Sequence, residues 1–178
     1  LEIFSVDDSL SSNNRSVSTQ FTLSGQVNNP DIFTVNDLPG SLSAETASSF
    51  TGVKLWSLLN NAGIETDPKV KNDLLSKYVV ATGSDGYKAV FSMGEIDPDF
   101  GGQPNLVAYA TNNGDSLGAD GFARIVVPGD VRAGRYVSNL VSLEVRGIVS
   151  EPGVMALFLM GLVALRWQSR WQRASAIW

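Results

Sequence analysis

The sequence predicts an α+β fold: a mixed β-sheet body with few short helices, followed by one C-terminal apolar helix. Three observations carry that expectation. Residues Val17 to Val27 alternate, with Val17, Thr19, Phe21, Leu23 and Gly25 on one side and Ser18, Gln20, Thr22 and Ser24 on the other, which is the period of a half-buried strand. Two runs, Lys77 to Thr82 and Tyr87 to Phe91, are rich in β-branched and aromatic residues. They flank Gly83-Ser84-Asp85-Gly86, where Asp85-Gly86 supplies the positive φ of a tight hairpin turn. Between Gly52 and Ala62 the apolar residues Val53, Leu55, Trp56, Leu58, Leu59 and Ala62 recur at spacings of three and four, the stripe of an amphipathic helix that Gly63 stops.

The remaining elements follow in chain order. Residues 1–16 are rich in Ser, Asn and Asp, the composition of a flexible lead-in. After the first strand, Asn28-Asn29-Pro30-Asp31 turns the chain and Ile32 to Val35 makes a second extended run. Asp67 and Pro68 suit the N-cap and first position of another short helix. Strands are expected at Asn105–Thr111, Ala123–Val127 and Tyr136–Val145, separated by the turns Asn112-Asn113-Gly114-Asp115 and Pro128-Gly129-Asp130. A chain of 178 residues accommodates this body, residues 17–149, plus a terminal segment, 150–178.

Composition excludes whole classes of function. The chain has no Cys and no His, so it offers no disulfide, no thiolate or imidazole metal ligand and no Ser–His–Asp or Cys–His relay. Its net charge is −5, and with Arg166, Arg170 and Arg173 set aside the rest carries 10 Lys+Arg against 18 Asp+Glu, or −8. A body this acidic repels phosphate backbones, so nucleic acid is not an expected partner. Leu1 opens the chain without a basic or apolar leader pattern, which fits a removed leader and a fragment alike.

The terminal segment has its own order: Ser150-Glu151-Pro152-Gly153, then the apolar or small run Val154 to Leu165, then Arg166, Arg170 and Arg173 with Trp167 and Trp171 among them. This stretch resembles the PEP-CTERM sorting signal of exopolysaccharide-producing Gram-negative bacteria, although the first proline of that motif is missing here. The resemblance implies export and insertion in the inner membrane facing the periplasm, with the arginines left in the cytoplasm. It also implies cleavage near Glu151-Pro152 by an exosortase-type enzyme, and release to the cell surface or beyond. The alternative is a terminal helix packed on the body.

The body resembles the oxidoreductase molybdopterin-binding domain of sulfite oxidases. The stretches that carry the likeness are Phe50-Thr51-Gly52-Val53-Lys54-Leu55-Trp56-Ser57-Leu58-Leu59, Gly83-Ser84-Asp85-Gly86-Tyr87, Ala123-Arg124-Ile125-Val126-Val127-Pro128-Gly129-Asp130 and Gly134-Arg135-Tyr136-Val137. In catalytic members a cysteine thiolate binds molybdenum; the matching interval, Leu38 to Thr51, holds none. By motif position Arg124 and Arg135 match side chains that hold the pterin phosphate, whereas a lysine of the family falls on Ser138 and a histidine is absent.

The candidate binding residues are therefore Arg124, Arg132, Arg135, Asp85 and Tyr87, each with a plainer reading beside it. Asp85 forms a turn unaided, Tyr87 suits a strand edge, and Arg124 can pair with Asp120 or Asp130. Arg132 and Arg135 suit a solvated loop. Glu95, Asp97 and Asp99 form an acidic loop, with weak calcium binding as the alternative. The favoured function is a non-catalytic module for an anion or an exopolysaccharide, with no resident cofactor. The alternatives are a molybdopterin-dependent oxidoreductase without thiolate ligation and a passive matrix or surface protein.

Overall fold

The computed structural model describes residues 17–147. In chain order these form β1 (Gln20–Gly25), β2 (Asp31–Thr34), α1 (Leu38–Ser41), β3 (Glu45–Ala47), β4 (Phe50–Lys54), α2 (Leu55–Ala62), β5 (Lys77–Gly83), β6 (Lys88–Ser92), α3 (Met93–Ile96), β7 (Leu106–Thr111), β8 (Arg124–Val126) and β9 (Leu140–Gly147), with 3₁₀ turns at Asp73–Ser76, Gly118–Asp120 and Ala133–Arg135. The lead-in at 1–16 and the terminal apolar helix expected within 150–178 lie outside the described residues. Among the described residues no helix is long and apolar enough to cross a membrane.

The strands make two sheets. A five-stranded sheet has the order β2-β1-β9-β5-β6, in which β1 and β9 run parallel and every other neighbour is antiparallel. A four-stranded antiparallel sheet has the order β3-β4-β7-β8. The strand period of two sorts their side chains. Phe21 and Leu23 of β1, Val79 of β5 and Phe91 of β6 meet Val53, Val107 and Ile125 of the second sheet in one core, which α2 closes with Leu55, Leu58, Leu59 and Ala62. On the opposite face of the second sheet Leu106, Ala108 and Val126 form a smaller cluster with Ala47, Phe50 and Tyr136 against it. That second face carries Arg124 and Phe50.

The two-sheet, mixed architecture agrees with the α+β expectation, and the hairpin of β5 and β6 stands where the sequence places it, with Gly86 at φ 81°. Other expectations need correction. Gly52 and Val53 belong to β4, and the helix starts only at Leu55. A β-bulge opposite β7 lies between Thr51 and Gly52, where a Cβ on Gly52 would sit 2.4 Å from the Val107 carbonyl oxygen; only glycine permits that approach. Asp67-Pro68 opens a turn rather than a helix, with the Val70 N–H donating to the Asp67 carbonyl at 3.0 Å, and helical geometry waits until Asp73–Ser76. The last strand begins at Leu140, because Val137 makes a single bridge to Ile125 and Asn139 adopts a left-handed φ of 50°.

Candidate functional site

The conformation of the Asp85-Gly86 turn sets the position of Tyr87. The Asp85 carboxylate accepts the Tyr87 main-chain N–H at 2.9 Å and Gly83 donates to the Tyr87 carbonyl at 2.9 Å, the local cap expected of Asp in a turn. Asp85 itself is exposed. The Tyr87 hydroxyl then donates to the main-chain carbonyl of Gly134, in the 3₁₀ turn Ala133–Arg135. The hairpin tip is thereby tied to the loop that follows β8.

Arg135 leaves that loop into a clamp of carboxylates. Its Nε and Nη2 donate to the two oxygens of Asp130 at 2.9 and 2.6 Å, and Nη1 donates to Glu95 of α3 at 2.7 Å. The guanidinium also lies over the Phe91 ring, 5.4 Å from its centroid. The fork to Asp130 and the bond to Glu95 both push the Arg135 pKa up. The same fork holds the Asp130 carboxyl below its ordinary value, outweighing the opposing effect of desolvation.

Arg124 has a different set of neighbours. On β8 it faces the smaller cluster, and its guanidinium lies 4.9 Å from the centroid of Phe50 and 5.7 Å from that of Tyr136, a cation–π arrangement. Nη1 donates to Asp120. The side chain is only 13% exposed, and its Nε is buried with no hydrogen-bond partner among the described residues. Of the three arginines only Arg132 is exposed without a charged partner among the described residues. The structure thus brings Tyr87 and Arg135 to one loop, and gives Arg124 and Arg135 no partner in common.

The acidic run disperses. Glu95 is taken by Arg135, and Asp97 is buried and turns inward to accept the Asp99 N–H at 3.0 Å. Among the described residues no group of three or more Asp or Glu is placed to hold a metal ion.

One concave feature escaped the sequence reading. A cleft of about 410 Å³ is lined by Ser49, Phe50, Thr111, Asn112, Asn113 and Asp115. It lies where the two-residue turn between β3 and β4 meets the end of β7, because β4 and β7 pair Phe50 with Thr111. The Asn112 side chain braces that junction: its amide donates to the Ser48 carbonyl at 3.0 Å and its oxygen accepts from the Thr51 hydroxyl at 3.3 Å. Ser48 is held at a left-handed φ of 58°. The available signal was an Asn-Asn-Gly-Asp turn, which reads as loop chemistry alone.

No family model matches this chain, and no curated protein matches it. Among solved structures it is similar to the sulfane dehydrogenase SoxCD from Paracoccus pantotrophus, with 22% sequence identity and a TM-score of 0.55. The match covers 74% of this chain and 39% of that one, so the chain spans well under half of its neighbour's length. The likeness is one of fold, and it supports a sulfite-oxidase-like fold for the body.

Proposed function

We propose that this chain is a non-catalytic binding module on a sulfite-oxidase-like scaffold, exported and tethered to the inner membrane through residues 150–178. The observation that carries the reading is the donor set. The sequence contains no Cys and no His, so nothing in it supplies the thiolate that a protein-ligated molybdenum centre needs, and thioethers are the only sulfur present. The residues present do not fit that group. The arginine positions that match the pterin-phosphate holders are also committed: Arg135 to Asp130 and Glu95, and Arg124 to Asp120. The carboxylates neutralise both guanidiniums, which weakens their attraction for a phosphate.

The same commitments favour a saccharide over a small anion as the ligand, since Arg132 alone keeps an exposed guanidinium without a charged partner among the described residues. The tethering rests on the order of an apolar run followed by Arg166, Arg170 and Arg173. The test is elemental analysis and pterin fluorescence after acid oxidation on protein exported in its native host. Molybdenum and pterin near background are expected; stoichiometric amounts of both, with turnover, would overturn the reading. Carbonate extraction of membranes tests the tether, and release of full-length, uncleaved chain would remove it.

A further inference from the structure

Resting on the reading of this chain as a binding module, we propose that the cleft between the β3–β4 turn and the end of β7 is its ligand site, and that it takes a neutral polysaccharide. Its volume, about 410 Å³, falls within the range of roughly 300–1,000 Å³ typical of small-molecule sites. Its lining has two parts that suit a sugar ring. Phe50 is half-buried, and the part of its ring that Arg124 and the underlying cluster leave uncovered gives the cleft an apolar surface on which the C–H groups of a pyranose can pack. Ser49, Asn113 and Asp115 supply a hydroxyl, an amide and a carboxylate. No hydrogen bond among the described residues uses the side-chain polar groups of these three. A carboxylate and an amide lining one cleft can accept from and donate to a sugar's hydroxyls.

The site is also built in advance. The Arg124 guanidinium lies against the Phe50 ring at 4.9 Å from its centroid, and that ring packs on the cluster of Leu106, Ala108 and Val126. The 111–115 turn is closed by three bonds: Gly114 N–H to the Thr111 carbonyl at 2.9 Å, Thr111 N–H to the Asp115 carbonyl at 2.9 Å, and Asp115 N–H to the Thr111 hydroxyl at 3.2 Å. Asn112 fastens this turn to Ser48 and Thr51. Binding therefore orders little backbone, and the conformational entropy it loses is that of the Ser49, Asn113 and Asp115 side chains. The charge of the site selects against acidic sugars. No Lys or Arg lines the cleft and Asp115 does, on a chain of net charge −5.

Affinity electrophoresis tests the assignment, with native gels cast with dextran, laminarin or galactomannan as neutral probes and alginate as the acidic one. The wild-type chain is expected to be retarded by at least one neutral glycan. The dissociation constant read from the concentration dependence should rise at least tenfold in Asn113→Ala, in Asp115→Ala and in Phe50→Ala, and stay unchanged in Arg132→Ala. Because Phe50 also packs against the cluster beneath it, the exposed pair Asn113 and Asp115 carries the decision, with thermal unfolding confirming that those variants fold. No retardation by any neutral probe overturns the site, as does retardation that survives both exposed substitutions. Retardation by alginate alone, lost in Arg132→Ala, overturns it as well and moves the ligand to the loop after β8. Each of these failures leaves the module reading standing; that reading falls only to molybdenum and pterin in the purified protein.

Discussion

The Tyr87 hydroxyl donates a hydrogen bond to the main-chain carbonyl of Gly134, so the tip of the β5–β6 hairpin latches the loop that presents Arg132 and Arg135. Tyr87 is 48% exposed, and water competes for the bond. Tyr87→Phe is expected to cost about 0.5–1 kcal/mol in urea unfolding. Hydrogen exchange should speed up at the amide of Tyr136, which donates to Ala133 within the latched turn. Unchanged exchange there would show that the loop holds without the latch.

Arg135→Gln should weaken the fold in a pH-dependent manner. Bonding to Arg135 lowers the Asp130 pKa, so its share of stability is full above the unfolded carboxyl value, about 3.9. That share disappears as pH falls through the lower, folded value. The stability difference between wild type and variant should hold steady from pH 5 to 8 and close below pH about 4. Denaturant midpoints measured across that range check it; a gap that widens in acid would contradict the assignment.

At Arg124 the expectation is the opposite of a binding role. The side chain packs across Phe50 and Tyr136, its Nε is orphaned, and Asp120 is 42% exposed and can be rehydrated. Arg124→Met keeps much of the packed volume and removes an unsatisfied donor, so thermal denaturation should move by no more than about 1 kcal/mol equivalent.

Gly52→Ala places a methyl group 2.4 Å from the Val107 oxygen and 2.6 Å from the Ala108 Cα, both backbone atoms that cannot swing aside. The β4–β7 ladder must open at its bulge, at an expected cost of about 1–3 kcal/mol. The same substitution at Gly86, where a Cβ meets nothing within 4 Å but φ is 81°, should cost only about 1 kcal/mol. Urea titration of the pair separates steric crowding from backbone strain.

The parts of this fold that announce themselves in the sequence are those specified locally. Asp85-Gly86 forms the hairpin tip through its own dihedral preference, and the 3.6-residue stripe from Leu55 to Ala62 forms a helix because a single face is buried. What escaped depends on partners distant in the chain. Gly52 and Val53 look like a first helical turn, and only the pairing with Val107 and Ala108 makes them strand. β3 has three residues and α1 and α3 four each, too short for any periodicity to register. At the candidate site, Arg135 was legible as a basic loop residue. Its neutralisation by Glu95 was not, since 40 residues separate them. The cleft around Phe50 arises from the register of β4 on β7, and a string of turn formers cannot announce that two turns converge.

The parallel pairing of β1 with β9 joins the first and last strands of the described chain, at the middle of the five-stranded sheet. Loop-closure entropy must be overcome before that contact contributes anything, which makes such topologies slow to fold. During synthesis one edge of β1 stays without its partner strand until Leu140–Gly147 has emerged. A chain truncated before Leu140 lacks its central strand and leaves two unpaired edges, on β1 and β5, open to aggregation.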